Sequence, residues 1–210
     1  INFLKEIQRA SRFNLIYEID DVLFYEDIPL YNKFRSAFAD EEVRRTAQQI
    51  MESCDEITVT CNFMKDYFAS KTSNKNITVI PNYVPKFWMG ELYDEQQKSI
   101  NYTKSIKKRK RPRVLWSGSG AHFDQTGKDP NDDFGHIIQT IINTRKKFQW
   151  VLFGSFPQQL KQYCATGEIE FHPWVPLYDY PRKLNSLNAE VTIAPLRDNP
   201  FNNCKSDLKY

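Results

Sequence analysis

The 210-residue chain carries 29 Lys and Arg against 26 Asp and Glu, a formal charge of +3, too mild a balance to demand nucleic acid as a partner. Hydrophobic residues make up 40%, aromatic residues 14% and charged residues 26%, which is too apolar for a disordered chain and supplies enough Phe, Tyr and Trp for a substantial core. No apolar run approaches the roughly 20 residues that span a bilayer.

The elements follow in chain order. Leu15-Ile16-Tyr17-Glu18-Ile19 is a short strand-like run closed by Asp20-Asp21. Val43, Ala47, Ile50 and Met51 share one helical face. Ile57-Thr58-Val59-Thr60 is a β-branched strand, and Met64, Tyr67 and Phe68 repeat the helical spacing. Ile77-Thr78-Val79-Ile80 is a further strand, stopped by Pro81-Asn82. Strand, helix, strand, helix, strand predicts βαβ units and a parallel sheet. Residues 82–112 then carry Pro85, Gly90, many polar residues and the basic run Lys107-Lys108-Arg109-Lys110-Arg111-Pro112, with a polar helix over 91–104. That texture suits a connection between two domains.

The alternation resumes with Val114-Leu115-Trp116, which leads into Ser117-Gly118-Ser119-Gly120. Asp132 or Asp133 is placed to cap a helix whose stripe is Phe134, Ile137, Ile138, Ile141 and Ile142. Trp150-Val151-Leu152-Phe153 ends at Gly154, and a helix follows Pro157. A strand over Glu168 to Phe171, a helix over Tyr178 to Leu187 and a strand at Val191-Thr192-Ile193-Ala194 complete the pattern. The expectation is an α/β chain of two Rossmann-like domains, 1–84 and 113–210, joined by a linker over 85–112. The opening Ile1-Asn2-Phe3-Leu4-Lys5-Glu6 has neither initiator Met nor signal-peptide stretch, and the end has no helix stop. The chain therefore reads as an internal fragment in which both domains are incomplete. Cysteines at 54, 61, 164 and 204 form no CxxC pair and have no His at zinc-ligand spacing. Isolated thiols without a secretory signal suit a reducing cytoplasm, which makes the sequons at Asn76 and Asn101 chance matches.

Three strand ends carry unusual residues, and carboxyl ends of parallel strands are where such sheets bind ligands. Asp20 and Asp21 repel each other and need solvent, a cation or donors nearby; they could orient a hydroxyl, act as a base, bind a metal, or simply cap a turn. In Ser117-Gly118-Ser119-Gly120-Ala121-His122, glycines after a strand let backbone amides approach an anion, or make a tight turn. The run matches neither the P-loop nor the dinucleotide fingerprint. His122 adds a group that titrates near neutral pH, or a satisfied structural histidine. After Ala194-Pro195, a helix is expected to open near Asn203 with Lys205 in its first turn, where a cation opposes the helix dipole. A phosphate there would relieve that conflict; a solvated Lys is the plain alternative. The basic run reads as a solvated linker or as a peripheral contact to anionic lipid.

Tyr17-Glu18-Ile19-Asp20-Asp21, Asp55-Glu56-Ile57-Thr58-Val59-Thr60-Cys61-Asn62, Val79-Ile80-Pro81-Asn82 and Leu115-Trp116-Ser117-Gly118-Ser119 come first in an ordered series. Val151-Leu152-Phe153-Gly154, Trp174-Val175-Pro176, Ile193-Ala194-Pro195-Leu196 and Phe201-Asn202-Asn203-Cys204-Lys205-Ser206-Asp207-Leu208-Lys209 complete it. Over residues 14–210 this series resembles the GT-B glycosyltransferases of family 4. The resemblance implies a first domain for the acceptor and a second for a nucleotide-sugar donor. It implies sugar transfer with retained configuration, without a metal or other cofactor, to an acceptor that is a glycan, a lipid or another molecule. The donor diphosphate would lie on Gly118, Ser119, Gly120, Lys205 and Lys209. Asp20 and Asp21 would face the reaction from the acceptor side, with His122 beside the glycine turn.

The chain departs from that pattern in two places. No Glu occurs between Glu190 and Tyr210, where a pair is usual, and position 198 is Asp. His122, Asp124 and Lys128 stand in the region of a usual Arg and Lys. The competing classes are a non-catalytic phosphate-binding or scaffold domain, a haloacid-dehalogenase-like hydrolase read from Glu18-Ile19-Asp20-Asp21-Val22-Leu23, and a metal-dependent GT-A transferase. In the hydrolase Glu18 would replace the nucleophilic Asp, one methylene too long for its attack geometry. The GT-A transferase needs an Asp-x-Asp pair on its cation, and here the carboxylates are adjacent.

Overall fold

A computed structural model describes residues 2–11, 13–85, 88 and 109–206. The chain divides into two units: Ile1–Leu30 with Phe34–Tyr83 and Asp198–Tyr210, and Tyr31–Lys33 with Val84–Arg197.

The first unit is built on a parallel sheet in the order β1-β2-β3, formed by Ile16–Glu18, Glu56–Val59 and Ile77–Val79. Helix α1, Asn2–Ser11, precedes β1. Between β1 and β2 runs α2, Glu41–Ser53, which starts where Asp40 accepts the Glu42 amide at 2.8 Å. Glu41 and Glu42 add favourable charge to that first turn. Helix α3, Asn62–Lys71, follows β2 and is capped by Cys61, whose sulfur accepts the Met64 amide at 3.4 Å. Met64 and Phe68, four residues apart, therefore point the same way, and both are fully buried. Ile57, Thr58 and Val59 are consecutive and all buried, as expected of a parallel strand covered on both faces. Phe201 and Cys204 complete this core, so the segment after Arg197 packs on the first unit.

The second unit holds four parallel strands, β4 (Arg113–Gly118), β5 (Gln149–Gly154), β6 (Glu170–Pro173) and β7 (Val191–Thr192), in the order β6-β5-β4-β7. The crossovers carry α4 (Ile138–Thr144), α5 (Lys161–Ala165) and α6 (Tyr180–Ser186). The chain steps outward from β4 to β6 and then returns to the far side of β4, so the order reverses between β4 and β7. Val114 and Trp116 enter one core with Phe134, Ile141, Leu152 and Ile169, while Leu115 enters the other with Val151, Phe153 and Leu187. That is the two-residue period of a strand covered on both faces.

Three local expectations are corrected. The helix stripe does begin at Phe134, but the regular helix starts only at Ile138, because residues 131–137 form turns organised by Asp132. The Asp132 carboxylate accepts the Phe134 and Gly135 amides at 2.9 and 2.7 Å and the Asp124 amide at 2.9 Å, and so serves a loop rather than a helix cap. The last helix, α7, is Pro200–Asn203, capped by Asn199. Lys205 lies beyond its end rather than in its first turn, and the expected conflict with the helix dipole does not arise. Two arginines of the basic run are tied to protein acceptors, while Lys110 is exposed: Arg109 donates to the Asn188 carbonyl at 2.6 Å and meets Glu190 at 3.2 Å, and Arg111 donates to the Arg145 carbonyl and to Gln149. The polar helix over 91–104, Lys107 and Lys108 lie outside the described residues. Among the described residues no helix is long and apolar enough to cross a membrane.

Candidate functional site

The strand order reverses between β4 and β7, and the carboxyl edge at such a switch point is where sheets of this kind bind ligands. The loop leaving β4 there is the glycine turn. Trp116 sends its ring back over Gly118, where a Cβ would come within 2.4 Å of it, and the ring packs edge-on against Phe134 at 4.8 Å. Gln125 crosses under Gly120, donating to the Gly120 carbonyl at 2.7 Å and leaving 2.8 Å where a Cβ would sit. Packing thus requires the glycine at 118, where the Trp116 ring is buried, whereas at 120 a Cβ meets only the movable tip of Gln125. Ser119 Oγ accepts the Ala121 amide at 3.2 Å and starts the short 3-10 turn Gly120–His122. The amides of Ser119 and Gly120 themselves donate to no acceptor among the described residues. Two adjacent N–H groups left over at a strand end are the donors an anion needs.

His122 is fixed by Asp133, a residue that the sequence offered only as a helix cap. Its Nδ1 lies 3.0 Å from Oδ2 of Asp133, a carboxylate with no exposed side-chain surface. The other oxygen of Asp133 accepts the Tyr31 hydroxyl at 2.9 Å and the Arg197 amide at 2.8 Å. The Asp133 amide in turn donates to the His122 carbonyl at 3.1 Å. Arg197, which follows β7, donates through its guanidinium to the Asp132 and Pro130 carbonyls at 3.0 and 2.9 Å. The loops after β4 and after β7 are therefore bound together through Asp132 and Asp133. Asp124 closes the intervening loop by accepting from Thr126, Lys128 and Asp129, and these donors hold its carboxyl far below the usual carboxylate range.

Gly118, Ser119, Gly120 and His122 come together in the second unit, whereas Asp20, Asp21 and Lys205 belong to the first. Asp20 and Asp21 follow β1, and neither caps a helix: the next 3-10 turn, Tyr25–Asp27, is preceded by Phe24. Asp21 keeps contact with solvent, yet the protein crowding around it raises its carboxyl above the ordinary range, Asp20 adds to the rise, and Lys205 opposes it. Asp21 and Lys205 are thus electrostatic neighbours, and the Lys205 ammonium also sits 4.8 Å from the centre of the Phe201 ring. Lys209 lies outside the described residues. A hollow of about 370 Å³ in the first unit, floored by Leu23, Phe24 and Met51 beside Arg44 and Arg45, is lined by none of these candidates. Among the described residues no three His, Cys, Asp or Glu side chains gather as a metal site.

The chain is a mixed α/β protein with parallel sheets of three and four strands. No family model matches it, and no curated protein matches it.

Proposed function

We propose that the chain is a nucleotide-sugar-dependent glycosyltransferase of GT-B type, with the second unit taking the donor diphosphate and the first the acceptor. One observation carries the reading: the uncommitted amides of Ser119 and Gly120 stand beside an anchored His122 where the strand order reverses. In the reaction an acceptor hydroxyl oxygen bonds to the anomeric carbon of the sugar while the bond from that carbon to the diphosphate breaks. The hydroxyl gives up its proton, and the departing diphosphate gains negative charge. Fixed N–H donors aimed at that charge stabilise the transition state more than the ground state. Asp20 and Asp21 follow the first strand of the other unit and supply carboxylates for orienting a hydroxyl or taking its proton. Lys205 offsets the charge of Asp21, and its role toward the donor stands with Lys209 as part of the same proposal.

The competing non-catalytic reading draws on the packing reason for Gly118, which accounts for that glycine without any ligand. A thermal-shift panel of uridine, guanosine and adenosine diphosphates, with inorganic phosphate alongside, tests the binding. A ligand at a hundred times its Kd raises stability by about 2.7 kcal/mol, which moves the Tm of a chain this long by roughly 5–10 °C. No shift with any diphosphate defeats donor binding. A shift without turnover of any sugar nucleotide, with water or an added acceptor, favours the non-catalytic reading.

A further inference from the structure

The fold brings two basic segments of the second unit together at the amino ends of its strands. Arg113, which opens β4, is in register with Gln149, which opens β5, and the Gln149 amide donates to the Pro112 carbonyl at 2.8 Å. Lys110 and Arg111 are thereby brought beside Arg145, Lys146 and Lys147, and the Arg111 guanidinium donates to the Arg145 carbonyl at 2.8 Å. We propose that this amino edge is an electrostatic contact surface for an anionic lipid bilayer. Such a contact is independent of donor binding.

Carboxylates compensate only three of the cations at this edge. Glu190 meets Arg109 at 3.2 Å, Glu170 meets Arg113 at 2.8 Å and Glu168 meets Arg145 at 2.8 Å. The acceptors of the Arg111 guanidinium, the Arg145 carbonyl and the Gln149 side-chain oxygen, are both neutral. Lys110, Lys146 and Lys147 are exposed, and none of them forms an ion pair among the described residues. Four positive charges are thus left over at one edge of a chain whose whole excess is +3, so the rest of the chain is close to neutral. The arginine forks, which suit bidentate contacts to nucleic-acid phosphates, are spent on protein acceptors. What remains is mostly lysine, a compact charge on a flexible stem that answers to the diffuse potential of a headgroup surface. No exposed aromatic ring stands among residues 109–113 or 145–149 for a base to stack on. The strands are parallel, so the glycine turn lies at the other end of the six-residue β4, roughly 20 Å away, and a bilayer on the amino edge does not compete for it.

Sedimentation of the whole chain with lipid vesicles tests the contact. The chain should bind phosphatidylcholine vesicles that contain phosphatidylserine, come off them at high salt, and ignore vesicles of phosphatidylcholine alone. Lys146→Gln/Lys147→Gln should weaken binding roughly 25-fold and Lys110→Gln roughly fivefold, at about fivefold for each cation near such a surface. The control is Lys128→Gln/Lys161→Gln, which removes the same charge from two exposed lysines that follow the carboxyl ends of β4 and β5. That pair should bind as the wild type does, and unchanged urea midpoints check that the exposed substitutions leave the fold intact. Absence of wild-type binding to the phosphatidylserine vesicles, or an equal loss in the control pair, overturns the proposal. Tighter binding to a DNA duplex than to those vesicles at the same salt, weakened by Lys146→Gln/Lys147→Gln, assigns the edge to nucleic acid and overturns it as well.

Discussion

Replacing Gly154 by Ala probes how tightly the carboxyl edge of the second sheet is packed. Gly154 closes β5 at φ +105°, and a Cβ there would lie 2.7 Å from the Gly118 carbonyl oxygen and 2.6 Å from the Trp174 ring. The backbone conformation alone costs an L-residue about 1–3 kcal/mol. Moving a strand-end carbonyl and an indole out of the way adds roughly 1–3 kcal/mol. Gly167 provides the control: it has φ +75° with nothing within 4 Å of where a methyl group would stand, so alanine there bears the conformational cost alone, about 1–2 kcal/mol. Gly154→Ala should therefore lose about 2–6 kcal/mol and exceed Gly167→Ala by at least ~1 kcal/mol. All four tryptophans fall in the second unit, so urea unfolding followed by tryptophan fluorescence reports on that unit. Equal losses in the two variants, or a loss below about 1 kcal/mol for Gly154→Ala, would refute the close approach of β4 and Trp174 to this residue.

Glu170 is pushed up by burial but pulled further down by the Arg113 fork, at 2.8 Å to each oxygen, and by His172. Its contribution is complete above the unfolded carboxylate range near ~4.3 and is lost as pH falls through its lower folded value. Urea midpoints of the second unit should drop with acid across that window, and Glu170→Gln should flatten this limb; parallel curves would contradict the pairing. Burial pushes the Cys164 thiol up to about 11 and, with the Cys61 thiol beside it, the Cys204 thiol up to about 12. Mass spectrometry after iodoacetamide at pH 8 should find both unlabelled until urea is added, and native labelling at the rate of a free thiol would be the contrary result. Lys205→Ala should raise the Asp21 carboxyl further, because Lys205 is the opposing influence there; an unmoved 13C carboxyl titration would show that the two groups do not interact.

The strands were legible because their signals are local. Ile57 and Val59 are β-branched, and Pro81 and Gly154 punctuate their ends, so β2, β3 and β5 fall within a residue or two of expectation. Val43 to Met51 marked α2 through their period, while its cap, Asp40, emerged only from the structure. The helix after Asp132 started late because that carboxylate found amides in two segments, a choice no helix pattern encodes. Lys205 was misplaced for a similar reason, since Asn199 caps a helix of four residues that ends before it. The anchor of His122 could not be read at all: Tyr31 and Asp133 stand 102 positions apart, and only the folded sheet brings them to one hydrogen bond. Asp132-Asp133 was visible as a pair of carboxylates, but nothing in a linear pattern separates a loop organiser from the partner of a histidine.

The central claim is that a nucleoside diphosphate is held by the backbone after β4, and backbone amide spectra test it most directly. In 15N-labelled protein titrated with uridine, guanosine or adenosine diphosphate, the Ser119 and Gly120 amide protons should move downfield together and saturate, as free donors do when they gain a charged acceptor. Saturable shifts confined to other parts of the chain, with Ser119 and Gly120 unmoved, would contradict it.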